Sequence, residues 1–238
     1  MHISNKTILI SGASKGIGKT LALELAQKSC NLALIARSDV ELKAVQKQVV
    51  NLGSRCEIFI GDISHNDFIE TLVSEVLECF GTIDFLINNA GVGDFGPIEN
   101  YAESSFDKMF DTNVKGTFLL CKNVIPVLKA KSKGHIVSII SDVGKRDIAN
   151  GALYCASKFA QDAFTSAMRK ELRPFNIKVS NIYSGLVDSE FHEGAQGSEE
   201  HALWLKTSDM AKSILFVMNQ DEHVVIDELM IHPISQEY

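Results

Sequence analysis

Residues 6–20 read KTILISGASKGIGKT: a short run of Ile and Leu, glycines at 12, 16 and 18, and then the start of an amphipathic stretch over 17–29. An apolar run that is nearly continuous rather than alternating is how a strand reads when helices cover both sheet faces. Working outward, the same kind of run recurs as NLALIA (31–36), RCEIFI (55–60), IDFLIN (83–88), HIVSII (135–140), IKVSNI (177–182) and VVIDELMI (224–231). The segments 39–52, 64–80, 104–131 and 152–173 between them carry helical periodicity and are long enough for the crossovers that parallel strands require. The pattern predicts a single-domain, doubly wound α/β fold over 1–238 with a seven-stranded parallel sheet. Pro174 closes the helix before the sixth strand, because its ring cannot continue the hydrogen-bond ladder.

Composition narrows the function class. The chain has 238 residues, 45% of them hydrophobic, enough for one sizeable core. Lys and Arg number 23 against 30 Asp and Glu, so a net charge of -7 argues against nucleic acid or an anionic membrane as partner. No apolar run reaches the roughly 18–20 residues that span a bilayer, and MHISNKTILI lacks the regions of a signal peptide, so a cytoplasmic protein is expected. The five cysteines (30, 56, 79, 121 and 155) are scattered, without a C-x-x-C pair, and read as reduced thiols. The stretch 185–206 breaks the strand–helix rhythm and is rich in Gly, Ser, Glu and His, yet it carries Phe191, Leu203, Trp204 and Leu205; it is expected to be a substrate lid.

The G-x-x-x-G-x-G spacing after the first strand permits a tight turn and close backbone approach, and the amides opening the helix near Ile17 and Gly18 face an anion. In that context the turn, with Gly12, Ser14, Lys15 and Gly16, predicts a cradle for the pyrophosphate of a dinucleotide. The second strand ends in Ala36, Arg37, Ser38 rather than in an acid. Arg37 and Lys15 together suit a ribose 2′-phosphate, so NADP(H) is predicted over NAD(H). Asp39 is better explained as a cap or first-turn acid of the next helix. Asp62, next to Ile63, suits either the adenine amino group or a helix cap.

Tyr154 and Lys158 stand at i and i+4 and share a helix face. A phenol titrates near 10, too high for acid–base work at neutral pH, and a neighbouring ammonium favours its ionised form. Ser141 ends the fifth strand, where ligands bind in open α/β sheets, and can hydrogen-bond a substrate oxygen.

Taken together, SGASKGIG, NNAG at 88–91, Asn113, Ser141 and YCASK at 154–158 resemble the short-chain dehydrogenase/reductase family over nearly the whole chain. The resemblance implies a Rossmann fold in which Tyr154 is general acid and base, Lys158 lowers its pKa and holds the nicotinamide ribose, and Ser141 orients the substrate oxygen. It implies that Asn113 completes a tetrad and helps hold a relay water, and that Asn89, Ala90 and Gly91 line the cofactor and steady the sheet. Ser184 and Gly185 replace the family's usual Pro-Gly, while Val187 and Ser189 still resemble its nicotinamide-carboxamide contact. The ending VVIDELMIHPISQEY, with NNAGVGDFG and GLVDSEF, looks more like NADP-preferring carbonyl reductases and bacterial sepiapterin-reductase-like members than acyl-carrier reductases. The expected activity is reversible hydride transfer between NADP(H) and the carbonyl or secondary alcohol of a small molecule. A 3-oxoacyl thioester reductase and a non-catalytic NADP(H)-responsive binding protein are the alternatives. The resemblance also implies a homodimer or homotetramer built on helices 104–131 and 152–173.

On the substrate side the expected neighbours are Asp94, Phe95, Gly96, Lys145, Arg146, Phe191, His192 and Trp204, with Lys145 or Arg146 receiving an anionic group. His192 and His201 lack a third ligand, and no metal site is expected. Cys155 is expected to pack rather than react.

Overall fold

The computed structural model describes residues 3–191 and 196–237. Its main sheet has seven strands: β1 (Thr7–Ser11), β2 (Asn31–Ala36), β3 (Cys56–Ile60), β4 (Phe85–Asn88), β5 (Gly134–Ser141), β6 (Ile177–Ser184) and β9 (Glu228–Ile231). All pairings are parallel, in the order β3-β2-β1-β4-β5-β6-β9. The order reverses between β1 and β4, and a crevice opens there beyond the carboxyl ends of the strands.

Helices α1 (Gly16–Ala26), α2 (Asp39–Asn51) and α7 (Thr207–Met218) cover one face of the sheet, and α3 (Asn66–Phe80), α5 (Thr117–Ala130) and α6 (Ala152–Leu172) cover the other. Successive strand side chains feed the two layers in turn. Ile8 and Ile10 pack with Leu21, Leu25 and Met210, while Leu9 between them packs with Ile69, Leu72 and Leu120. This explains why the strands read as unbroken apolar runs.

Three features depart from the expectation. The helix over 104–131 is three pieces: α4 (Glu103–Met109), a π-helical turn (Phe110–Gly116) and α5. The last strand is shorter than 224–231, because the chain over 224–227 serves as acceptor for side chains of β6: Val224 O takes Lys178 and Ile226 O takes Ser180. Finally, the 185–206 segment contains a small parallel pair, β7 (Val187–Asp188) with β8 (Leu205–Lys206).

Candidate active site

The turn after β1 is built by close approach. Gly12 has φ +66°, and a Cβ there would lie 2.8 Å from the Ala90 Cα; one on Gly18 would lie 2.3 Å from the Gly12 carbonyl oxygen. Asn89 closes the turn, donating from Nδ2 to Ser11 O and Gly12 O, each at 3.0 Å, while the amides of Asn89 and Ala90 donate to Ser11 Oγ at 3.1 Å. The N-terminus of α1 thus faces the crevice with its amides exposed to a ligand. There the Gly16 amide donates to the Glu190 carboxylate at 3.1 Å, and Lys15 Nζ donates to Glu190 O at 3.4 Å.

At the outer end, Arg37 lies 3.9 Å from Asp62. Asp62 accepts from the Ser64 amide at 2.9 Å. Partial burial works against its ionisation, but the Ser64 hydrogen bonds and the charges of Arg37 and His65 hold it below its usual range. His65, not Asp62, is the N-cap residue of α3. Asp39 opens α2 and pairs with Lys43 at 2.8 Å, the role of a first-turn acid.

At the inner end, Ser141 closes β5 and its hydroxyl donates to Asp142 Oδ1 at 3.0 Å. Tyr154, in the first turn of α6, is buried and lines the cleft beside Ser141. Burial pushes its phenol up, with Asp142 and Cys155 adding to the rise and the neighbouring Ser141 hydroxyl opposing it. This is opposite to the direction expected from a neighbouring lysine. Lys158 is itself buried, its pKa falls to about 8, and its Nζ lies 5.8 Å from the Tyr154 ring centre. It donates instead to Gln161 Oε1 at 3.1 Å and Ile139 O at 3.4 Å.

Gln161 in turn donates to Thr117 Oγ1 at 3.0 Å, and Thr117 to Asn113 O at 2.9 Å, so a polar chain joins Lys158 to the backbone of Asn113. Asn113 sits in the π-helical turn, where its side chain both accepts from Val92 N and donates to Val92 O at 2.9 Å. It also donates to Ser157 Oγ at 3.0 Å.

These ends belong to one cleft of about 770 Å³, running from Gly12, Lys15 and Arg37 to Ser141, Tyr154 and Lys158. That volume suits a dinucleotide with a small molecule beside it. A model of the family described as short chain dehydrogenase matches residues 6–200. The chain belongs to the short-chain dehydrogenase family. Among its relatives, a sepiapterin reductase of Chlorobaculum tepidum is 31% identical over 235 residues, covering 96% of each chain. An alcohol dehydrogenase from the archaeon Thermococcus sibiricus, solved with 5-hydroxy-NADP, superposes with a TM-score of 0.92 at 29% identity over 98% of each chain. A metagenomic short-chain oxidoreductase solved with NADP gives 0.87 at 30% identity, covering 99% of this chain and 100% of that one.

In this short-chain dehydrogenase every residue expected at the cofactor or at the tetrad lines the cleft except Gly18 and Asn113. Gly18 works one layer back: the Gly12 carbonyl and Asn89 leave no room for a side chain, so its task is packing the turn. Of the expected substrate neighbours, Phe95, Arg146 and Phe191 line the cleft. Phe95 meets the Tyr154 ring edge-on at 5.3 Å and Phe191 meets it tilted at 5.7 Å, while both rings press on Gly93.

Asp94, Gly96, Lys145 and Trp204 do not line it. Lys145 is held by Asp162 at 3.0 Å and Glu228 at 3.3 Å, away from the cleft. Trp204 stacks on His201 at 3.9 Å, and His201 contacts Asp188 Oδ1 at 3.2 Å. His192 lies outside the described residues. Among the described residues, no cluster of three or more His, Cys, Asp or Glu is placed to hold a metal ion, and no helix is long and apolar enough to cross a membrane. Cys155 packs with Met109, Val143 and Tyr154.

Sequence reasoning missed four side chains here. Asp188 anchors the 185–206 segment: it accepts from the Gly197 amide at 3.0 Å and Lys206 Nζ at 3.0 Å as well as contacting His201. Those hydrogen bonds and charges hold its carboxyl below the usual range. Asp142, Gln161 and Gln236 were also silent, although the acid–base spacing of Asp142 and Arg146 at i and i+4 was available as a signal.

Proposed function

We propose that this protein is an NADP(H)-dependent oxidoreductase that interconverts a carbonyl and a secondary alcohol on a small substrate. The observation that carries the reading is the convergence of Ser141, Tyr154 and Lys158 at the inner end of a cleft whose outer end holds Lys15 and Arg37. The relatives solved with NADP and 5-hydroxy-NADP support the choice of cofactor. The residues fit such a group: the amides of Gly16 and Ile17 at the N-terminus of α1 for the pyrophosphate once Glu190 yields the Gly16 amide, two cations at the adenosine side, and Val187, Ser189 and Gly185 along the inner wall for the carboxamide.

When bound, NADPH would supply the hydride for the carbonyl carbon. Tyr154 delivers the proton to the carbonyl oxygen, so the C=O bond becomes CH–OH, and Ser141 donates to that oxygen as charge develops on it. Lys158, held by Gln161 and Ile139 O, places a positive charge beneath the phenol and links it to the chain leading to Asn113. Burial of Tyr154 excludes water from the transferring proton. Phe95, Phe191 and Ile148 make the substrate wall apolar, and Arg146 directs its charge to Asp142, which favours a neutral carbonyl compound over an anionic one.

We read 185–206 as the substrate lid, anchored at Asp188. Exposed Phe118 on α5 and Phe159 on α6 support association through these helices as a homo-oligomer, and five free thiols suit the cytoplasm.

The test is oxidation of NADPH and NADH by the purified protein over diketones, 3-oxo acids, 3-oxoacyl thioesters and pterin carbonyls, with Tyr154→Phe as control. Turnover that prefers NADPH and disappears in Tyr154→Phe while cofactor still binds is the expected result. Undiminished turnover by Tyr154→Phe would overturn the assignment.

A further inference from the structure

Ser141 Oγ has two acceptors in reach, Asp142 Oδ1 at 3.0 Å and Ser184 O at 3.4 Å. Asp142 is 3% exposed, and a carboxylate so far from water needs hydrogen-bond donors. Its other oxygen, Oδ2, has them: Arg146 Nη2 at 2.6 Å and Nε at 2.9 Å, Gln236 Nε2 at 2.8 Å, and the His232 ring nitrogen at 3.2 Å. His232 and Gln236 come from the chain after β9, some ninety residues on. Gln236 also accepts from the Leu186 amide at 2.8 Å, in the turn that borders the inner end of the cleft. An anchor for the C-terminal segment would use Oδ2 alone, yet Oδ1 is turned to the serine next to the phenol.

Resting on the proposed reductase chemistry, we propose that Asp142 is a positioning residue: its carboxylate, fixed by Arg146, His232 and Gln236, holds the Ser141 proton away from Tyr154 until a substrate oxygen takes it. When the substrate enters, the serine hydroxyl rotates from Asp142 to the substrate oxygen, and no bond to carbon is made or broken by Asp142. The negative charge also opposes ionisation of the phenol. The charged and titratable groups facing that phenol are Asp142 from the turn after β5, and Lys158 and Cys155 from α6; Arg146 and His232 bind the far oxygen of Asp142.

The experiment is the pH profile of alcohol oxidation, which rises as Tyr154 ionises. Asp142→Asn should move that limb to lower pH by about one unit, while the Kd for NADPH from fluorescence titration stays unchanged. Because Asp142→Asn leaves Arg146 without its carboxylate, the pair deletion Asp142→Asn/Arg146→Gln is measured alongside it and should shift the limb the same way. A limb that stays in place in both variants would reduce Asp142 to an anchor of the C-terminal segment and overturn the proposal. Wild-type protein that oxidises no alcohol with either cofactor would overturn the reductase reading, and this role with it.

Discussion

The carboxylate of Glu190 accepts a hydrogen bond from the backbone amide of Gly16 at 3.1 Å, so a side chain of the 185–206 segment holds the amide that opens α1. A pyrophosphate at this helix N-terminus needs the same amide and meets the same negative charge. Glu190→Gln should therefore bind NADPH about two- to fivefold more tightly, a modest gain because Glu190 is exposed and screened. Fluorescence titration at low and high salt reads this directly; weaker binding by the variant would show that Glu190 helps the cofactor instead of competing with it.

The proposed choice of cofactor rests on two side chains that line the cleft, Lys15 in the glycine turn and Arg37 after β2. Each faces solvent in part, so each contributes a charge-assisted contact of about 1–2 kcal/mol. Arg37→Ala and Lys15→Ala should each lower kcat/KM with NADPH by about tenfold and leave NADH rates nearly untouched. Equal losses with both cofactors would move these cations from recognition to folding.

Lys158 sits at about 8 where an ordinary lysine has 10.5, and burial is the cause. Between these values the unfolded chain holds more protons than the folded one, so the contribution of this group to stability rises with pH across that window. The full penalty, roughly 3 kcal/mol, is present below about 8. Lys158→Met should therefore be more stable than wild type at neutral pH, with the gap closing toward 10.5, and urea unfolding over that range measures it. A variant less stable than wild type at neutral pH would mean that the bonds to Gln161 and Ile139 outweigh desolvation.

Two glycines separate packing from tolerance. A Cβ on Gly18 would lie 2.3 Å from the Gly12 carbonyl and 2.5 Å from Asn89 Nδ2, whereas one on Gly96 meets nothing within 4 Å. Gly18→Ala should lose about 2 kcal/mol or more and its cofactor binding, while Gly96→Ala should keep both within about 0.5 kcal/mol. Urea midpoints of the two variants, taken together, check the geometry of the turn.

What the chain announces and what it conceals follow from the range of the interactions involved. The sheet was legible because its central strands are buried on both sides, so Ile8 through Ile10 and Leu32 through Ile35 leave an unbroken apolar trace. The glycine turn and the Tyr154–Lys158 pair were legible because the residues that act together are adjacent in sequence. β7 and β8 have two residues each, too few for any periodicity, and are held by Asp188 through partners as far along as Lys206. The tie between Asp142 and Gln236 depends on β9 returning beside β6, which no local pattern encodes. Lys145 was misplaced for a related reason: Asp162 and Glu228, which draw it away, stand far from it along the chain.

The π-helical turn at Phe110–Gly116 has a bearing on how this fold can vary. One extra residue in the turn rotates everything before it by about 100° relative to everything after. It lets α4 lie against α6 while α5 lies against α3, although the chain runs through without a loop. The turn acts as a clutch between two rods: the amino-terminal rod can take on new surfaces around the substrate without turning the other out of the core, and Asn113 is the pin on which the clutch is set.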